Sequence, residues 1–397
     1  MREGLAEEEA VEIDGASGEG GGQILRTSLA LSMITGRPLR MEQIRAGRAK
    51  PGLRRQHLAC VQAAARLSGA RVTGDKVGSQ TLEFTPPGPI GEAAPPAHPD
   101  GSGPDRSGAP GPGSEALRLE IDIGTAGSTS LVVQTILVPA IVARRPVTAT
   151  VIGGTHNPMA PSFDFLDRVF VPHLRAMGAD VELTLDRYGF AVSGGAPGKQ
   201  DWHDDPTPHR GQITLTVGAR GAAGAAGGER RPALRPIELH LAGPVIARRA
   251  EAIVARLPTH VAERELGVVR KRLGFSDAEC HVREVGDSGG PANVLLVEIE
   301  REGGRELVTQ FGEKRLRAET VAARACDELD AFLRAGAPVG EHLADQLLLP
   351  LAVAGGGRFR CAPLSSHATT NIDTIGRFLD VPIRVEPDGR AVVVSVG

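Results

Sequence analysis

Three stretches of this chain repeat one layout, and no other feature restricts its possible folds as strongly. Each opens on a glycine-bearing turn and runs into an apolar helix: GEGGGQILRTSLALSMITG from Gly18, GTAGSTSLVVQTILVPAIVA from Gly124 and GEHLADQLLLPLAVAGGG from Gly340. Each helix carries a glutamine in its early turns, at Gln23, Gln134 and Gln346. A short strand is expected after each, in RPLRMEQIRAG, RPVTATVIGG and GRFRCAPLS. A second, more amphipathic helix then leads to a turn and two strands. In the middle copy Leu166, Val169, Phe170, Leu174 and Met177 fall on one face of that helix. The unit therefore reads β-α-β-α-β-β, three times. Parallel strands joined by helices need helix layers packed on the sheet, which makes this an α/β (α+β) architecture.

The copies are unevenly spaced. Gly18 and Gly124 lie 106 residues apart, Gly124 and Gly340 216 apart. The surplus predicts a domain inserted between the second and third units. Residues 229–337 supply it, with strand-like LRPIELHLAG and ANVLLVEIERE and helical RRAEAIVARLPTHVAERELG and RLRAETVAARACDELDAFLRAG. The expected division is a large domain over 1–228 and 338–397, with a smaller α+β domain between. Two Gly/Pro-rich stretches, about 86–116 and 194–232, read as disordered surface loops.

Composition narrows the function. No apolar run reaches the roughly 20 residues needed to span a bilayer, and the acidic start MREGLAEEEAVEIDG is unlike a secretory leader. Cys60, Cys280, Cys326 and Cys361 are scattered without a CxxC pair. That fits free thiols in a reducing cytoplasm better than a disulfide frame or a zinc site. A net charge of −3 provides no global basic field, so any nucleic-acid site must be a local patch. Aromatic content of 3% argues against stacking platforms for single strands.

Four segments could carry chemistry. In 18-GEGGGQ-23, bare amides before a helix suit a phosphate, whereas the alternative is a tight turn that simply needs glycine. Glu19 among such amides would repel a phosphate unless a divalent cation lay between them. In 45-RAGRAKPGLRRQH-57, glycine and proline are expected to keep the first half extended with splayed arginines. No acidic residue occurs from Gln43 to Gly74, so this is a polyanion site or a solvated face. In 342-HLADQ-346, Asp345 and Gln346 sit in an otherwise apolar helix, facing a ligand or lying at an exposed first turn. In 365-SSHATTN-371, either Thr370 or Asn371 caps the last amphipathic helix, or His367 reacts at that helix's N-terminus.

Taken in order, GEGGGQILR, IRAGRAKPGLRRQH, AGSTSLVVQT, GGTHNPMAPSFDF, GEHLADQLLLPLAVAGGG and SSHATTN closely resemble the motifs of RNA 3′-terminal phosphate cyclases. The resemblance runs from about Ile13 over nearly the whole chain, the two loops apart. It implies a large domain of three β-α-β-α-β-β units with a thioredoxin-like domain inserted before the third; the missing CxxC leaves that insert no redox role. It implies that His367 becomes adenylylated and that Gln134, His342, Leu343, Ala344, Asp345 and Gln346 bind ATP. Pro161 would lie against adenine, and Glu19 would be linked to a divalent cation, Mg²⁺ or Mn²⁺. Arg26, Arg45, Arg48, Gln56 and His57 would surround the substrate phosphate. His342 stands where some members carry a tyrosine, and 189-GFAVSGGA-196 is a weakened form of a glycine-richer motif.

The implied reaction makes a 2′,3′-cyclic phosphate at an RNA 3′-terminal phosphate by way of a histidine–AMP and an RNA(3′)pp(5′)A intermediate, releasing pyrophosphate and AMP. The implied setting is cytoplasmic, with RNA and ATP as partners, no membrane, and room for a homodimer. Two other readings stand beside it. A non-catalytic relative would serve as a ribosome assembly factor and lack the nucleophile, which His367 and the intact HLADQ run oppose. An enolpyruvyl transferase is built from the same kind of repeat and uses no adenylylated histidine.

Overall fold

The computed structural model describes residues 9–18, 20–92, 116–143, 145–190, 210–218, 234–286, 288 and 291–397. Among these, three of four sheets share one strand order. The first runs β1 (Val11–Asp14), β2 (Leu39–Glu42), β4 (Leu82–Thr85), β3 (Arg71–Thr73). The second runs β5 (Leu117–Asp122), β6 (Val147–Gly153), β8 (Gly211–Val217), β7 (Val181–Arg187). In the third, β9 (Glu238–Leu239) lies beside β14 (Gly357–Cys361), then β16 (Ala391–Val396) and β15 (Ile383–Asp388). In each, the first pair is parallel and the other two pairs are antiparallel.

Helices α1 (Gly22–Thr35), α3 (Thr129–Val142) and α8 (Glu341–Ala354) lead into the second strand of each sheet. All three are largely buried, because their apolar residues run right round the axis instead of along one stripe. Within α3, Val132, Val133, Ile136 and Leu137 are fully enclosed. Truncating Leu137 to Ala would cost about 2–5 kcal/mol. The amphipathic helices α2 (Arg55–Ser68) and α9 (Ser366–Phe378) follow the second strands of the first and third sheets.

The middle copy departs from a regular helix. Its apolar face passes from α4 (Phe163–Phe165) through a π turn, Leu166–Phe170, into α5 (Val171–Ala176). The amide of Val171 reaches back five residues to the Leu166 carbonyl. Pro172 supplies the reason: it has no N–H to meet the carbonyl four residues earlier, and its ring crowds that carbonyl. All five residues expected on one face are nonetheless buried.

A fourth sheet, β11 (Cys280–Glu284), β10 (Val245–Ala255), β12 (Ala292–Arg301), β13 (Gly304–Phe311), packs α6 (His260–Leu273) and α7 (Ala318–Ala335) over a core of its own. Two details differ from the sequence expectation. Within the stretch read as the second loop, Gly211–Val217 forms β8, whose Ile213, Leu215 and Val217 are buried in strict alternation. The Gly/Ala/Arg-rich flanks had hidden that period. Glu238–Leu239, read with the insert, pairs with β14 in the third sheet instead. Most of the two loop stretches lies outside the described residues.

Candidate active site

The GEGGG run brings three helices together. Gly18 (φ +58°) has a left-handed backbone, and a side chain there would collide with Thr370 Oγ1 of α9. A Cβ on Gly22 would stand 2.5 Å from His57 Nε2 of α2. Here glycine serves close approach as well as turning. Glu19, the expected metal-linked residue, lies outside the described residues.

His367 occupies the first turn of α9, whose N-cap is Ser365; its Oγ accepts from the Ala368 amide at 3.2 Å. The cap is therefore neither Thr370 nor Asn371. Ser365 comes first in the chain and already has the extended backbone of a cap (φ −74°, ψ 167°), so the helix starts five residues earlier than Thr370 would allow. Thr370 Oγ1 instead donates to the Ser366 carbonyl at 2.8 Å. His367 is exposed at the positive end of the helix.

A chain of side chains holds this histidine. His367 Nδ1 is hydrogen-bonded to Gln23 Oε1 of α1, and Gln23 Nε2 donates to Asp345 Oδ1 of α8 at 2.6 Å. Asn371 Nδ2 donates to the same carboxylate oxygen and to the Asp345 carbonyl, both at 3.1 Å. Thr27 Oγ1 in turn donates to Asn371 Oδ1 at 2.9 Å. A carboxylate can only accept, so it fixes the Gln23 amide with nitrogen toward Asp345 and oxygen toward the imidazole. Nδ1 must then carry the ring proton, which leaves the ring lone pair on Nε2. Burial raises the Asp345 pKa above the ordinary carboxylate value, against the opposing pull of the Gln23 and Asn371 donors and the Arg26 charge.

Gln23, Arg26, Gln134, Asp345, Gln346 and Asn371 line one cleft between α1, α3, α8 and α9. Across it, Gln134 Nε2 donates to Gln346 Oε1, which joins the glutamines of the second and third copies. From 342-HLADQ-346, only part of the run faces this space: Leu343 and Ala344 are fully buried, with their side chains in the core. His342 is exposed on the first turn of α8, 3.7 Å from Glu328 Oε1 and edge-on to Phe165 at 6.5 Å between ring centres. The Glu328 carboxylate raises its pKa. Pro161 is half-buried, its carbonyl accepting from Ser130 Oγ at 2.6 Å.

The residues expected around a phosphate divide into scaffold and surface. Gln56 is buried, and its Oε1 accepts from the Ser128 amide at 2.7 Å, bracing the second glycine turn. His57 is buried too; its Nδ1 accepts from the Arg54 amide at 3.1 Å and so caps α2. The segment from Arg45 is not extended. It forms turns, with Gln43 (φ +52°) and Arg45 (φ +53°) left-handed, and Arg45 Nη1 donates to the carbonyls of Lys50 at 2.9 Å and Gly52 at 3.0 Å. Those two bonds draw the loop back on itself. Arg48 is exposed, and Arg26 reaches the cleft.

Thr27 escaped the sequence reading, which took Asn371 only as a possible helix cap. Each lies four residues beyond a residue that was singled out, Gln23 or His367, and that spacing puts the pair on one helical face. Among the described residues no group of three His, Cys, Asp or Glu side chains is close enough to hold a metal ion. A magnesium-type ion needs only one or two protein carboxylates when phosphate oxygens and water complete its shell. Asp345 is the described carboxylate of that kind on the cleft wall. No helix among the described residues is long and apolar enough to cross a membrane.

Known proteins resemble this chain over most of its length. A family model described as RNA 3′-terminal phosphate cyclase matches residues 17–385. A curated relative of that name from Ectopseudomonas mendocina is 43% identical over 373 residues, covering 94% of each chain. One from Koribacter versatilis is 40% identical over 384 residues, 97% of this chain and 94% of its own. One from Salmonella enteritidis is 41% identical over 386 residues, 97% of this chain and 98% of its own. The family match spans every cleft residue from Gln23 to Asn371, and the chain belongs to the RNA 3′-terminal phosphate cyclase family.

Proposed function

We propose that this enzyme converts an RNA 3′-terminal phosphate into a 2′,3′-cyclic phosphate, using ATP and a covalent adenylyl group on His367. The observation that carries the reading is the hydrogen bond between His367 Nδ1 and Gln23 Oε1, with the Gln23 amide held in turn by Asp345. It leaves Nε2 as the nucleophilic nitrogen. In the first step the Nε2 lone pair attacks the α-phosphorus of ATP, the bond to the β-phosphate oxygen breaks, and pyrophosphate leaves. The imidazole gains positive charge, which the Gln23 carbonyl oxygen stabilises through the Nδ1 proton. Next an oxygen of the RNA 3′-phosphate attacks the same phosphorus and the P–N bond breaks, restoring neutral His367 and forming RNA(3′)pp(5′)A. Finally the 2′-hydroxyl attacks the 3′-phosphorus, AMP departs, and the hydroxyl proton is lost to base or solvent.

Gln134, His342, Asp345 and Gln346 would hold the nucleotide, with Pro161 against its base. Leu343 and Ala344 contribute through the backbone and core. A divalent cation at Asp345, with Glu19 as second carboxylate, would neutralise phosphate charge. Arg26 and Arg48 would receive the RNA phosphate, while Arg45, Gln56 and His57 shape the loop and turns around it. In the same reading the three sheets of common order are copies of one unit, and the β10–β13 layer is a thioredoxin-like insertion into the third. The test is incubation with ATP labelled at the α-phosphate and Mg²⁺, followed by a search for an acid-labile, alkali-stable protein adduct. Wild type should take label and His367→Ala none; equal labelling would remove His367 from the reaction.

A further inference from the structure

The segment 155-THNPMAPSFDF-165, which carries Pro161, is gripped from the β10–β13 layer at three points. Ser162 Oγ shares a hydrogen bond with Thr309 Oγ1 of β13 at 3.1 Å. Arg283 of β11 donates to Tyr188 Oη at 3.2 Å, and the Tyr188 ring stacks on His156 at 5.3 Å. The third point is Arg168, on the π turn. Its Nη2 lies 2.7 Å from Asp164 Oδ1 and 3.4 Å from Glu251 Oε2, and its Nη1 lies 3.3 Å from Glu298 Oε2. Asp164 in turn binds His156 Nε2 at 2.8 Å through its other oxygen. His156 and Asp164 are both buried, so these bonds act in a low-dielectric setting where geometry is closely held. The inserted residue of the π turn aims Arg168 at the neighbouring layer; such turns recur at functional sites.

Charge neutralisation alone does not explain Arg168. Every carboxylate it touches has another partner: Glu251 has Arg283 at 2.6 Å and Arg249 at 3.4 Å, Glu298 has Arg305 at 3.0 Å, and Asp164 has the His156 ring at 2.8 Å. What Arg168 adds is the connection between the two sides. We infer that Arg168 is a positioning residue that transmits the placement of the β10–β13 layer to the Pro161 loop and thereby tunes ATP affinity. The inference rests on the proposed placement of Pro161 against the nucleotide base. His342, on the opposite side, meets the same layer through Glu328 of α7, so both lips of the base site would be set by one body.

The experiment measures self-adenylylation against ATP concentration for wild type, Arg168→Lys and Glu298→Gln. The second variant lies entirely in the β10–β13 layer and leaves the cleft residues intact. A lysine reaches as a single point and cannot span carboxylates from both sides. Both variants should raise KM for ATP about 3- to 30-fold while kcat stays near wild type, the range expected when coupling through a packed network is lost. The double variant should be little worse than Arg168→Lys alone, because Glu298→Gln cuts one of the two links to the layer that the lysine variant already loses. A structural role alone would lower Tm and leave KM unchanged, and that outcome overturns the inference. So does a fall in kcat at constant KM. A wild-type protein that takes no adenylyl group would instead overturn the reading on which it rests.

Discussion

Gln23→Met is the sharpest perturbation of the histidine's support. Methionine keeps the length and apolar stem of glutamine but removes both of its hydrogen bonds, to His367 and to Asp345. A hydrogen bond to a neutral partner contributes about 1 kcal/mol, and one to a charged partner about 1.5–3 kcal/mol. Only the difference, about 0.5–2 kcal/mol, acts on the proposed chemical step, in which the imidazole would become charged as the P–N bond forms. At 1.36 kcal/mol per decade this predicts a fall of about 2- to 30-fold in the single-turnover rate at saturating ATP. Loss of tautomer control adds to the fall. Asp345 keeps Asn371 as a donor, so the fold should survive. Rapid-quench measurement with α-labelled ATP reads the rate directly. A folded Gln23→Met protein that adenylylates within twofold of wild type would refute the argument that this amide prepares His367.

Gly18→Ala should lower Tm and slow adenylylation together, since its Cβ meets Thr370 and its φ is left-handed; an unchanged melt would show that α9 can shift freely. Gln56→Leu leaves the Ser128 amide without its buried acceptor and should cost about 1–3 kcal/mol in urea titration. Arg48→Ala should weaken use of phosphate-ended RNA while sparing self-adenylylation. Arg45→Ala should also raise protease sensitivity of the loop that its guanidinium ties, and equal effects of the two would erase that distinction. Burial raises the Glu306 pKa from 4.5 to about 7. Such a carboxyl contributes stability fully below pH 4.5 and loses it as pH climbs through 7, about 3 kcal/mol over the window. Glu306→Gln should flatten that slope in denaturation at pH 5 and pH 8, and Glu265, shifted alike, should add a slope of the same sign.

Much of the molecule was readable from residue order because its signals are local. The helix-leading glycines, the apolar helices and the two glutamines that meet, Gln134 and Gln346, were legible before any coordinates. What escaped depended on choices that periodicity does not encode. A serine two residues ahead of His367 won the capping contest over later hydroxyls. Pro172 forced a π turn into an otherwise regular pattern. Gly211–Val217 alternates correctly, yet its biased flanks read as a loop. The arginine-rich segment stood out by its charge, but composition could not tell that Arg45 would turn inward to backbone carbonyls while Arg48 stayed outside. Nor could it tell that Leu343 and Ala344 would face the core beside Asp345.

The imidazole and the amide that orients it are 344 positions apart. Because a ribosome releases the early helix long before the late one, α1 must wait for α9 with its glutamine uncommitted. A nascent chain halted between Ala354 and Ser365 would possess the cleft's other helices but neither His367 nor Asn371. In the proposed reaction, competence to consume nucleotide would therefore wait for α9 to be made. Incomplete products should be inert rather than wasteful.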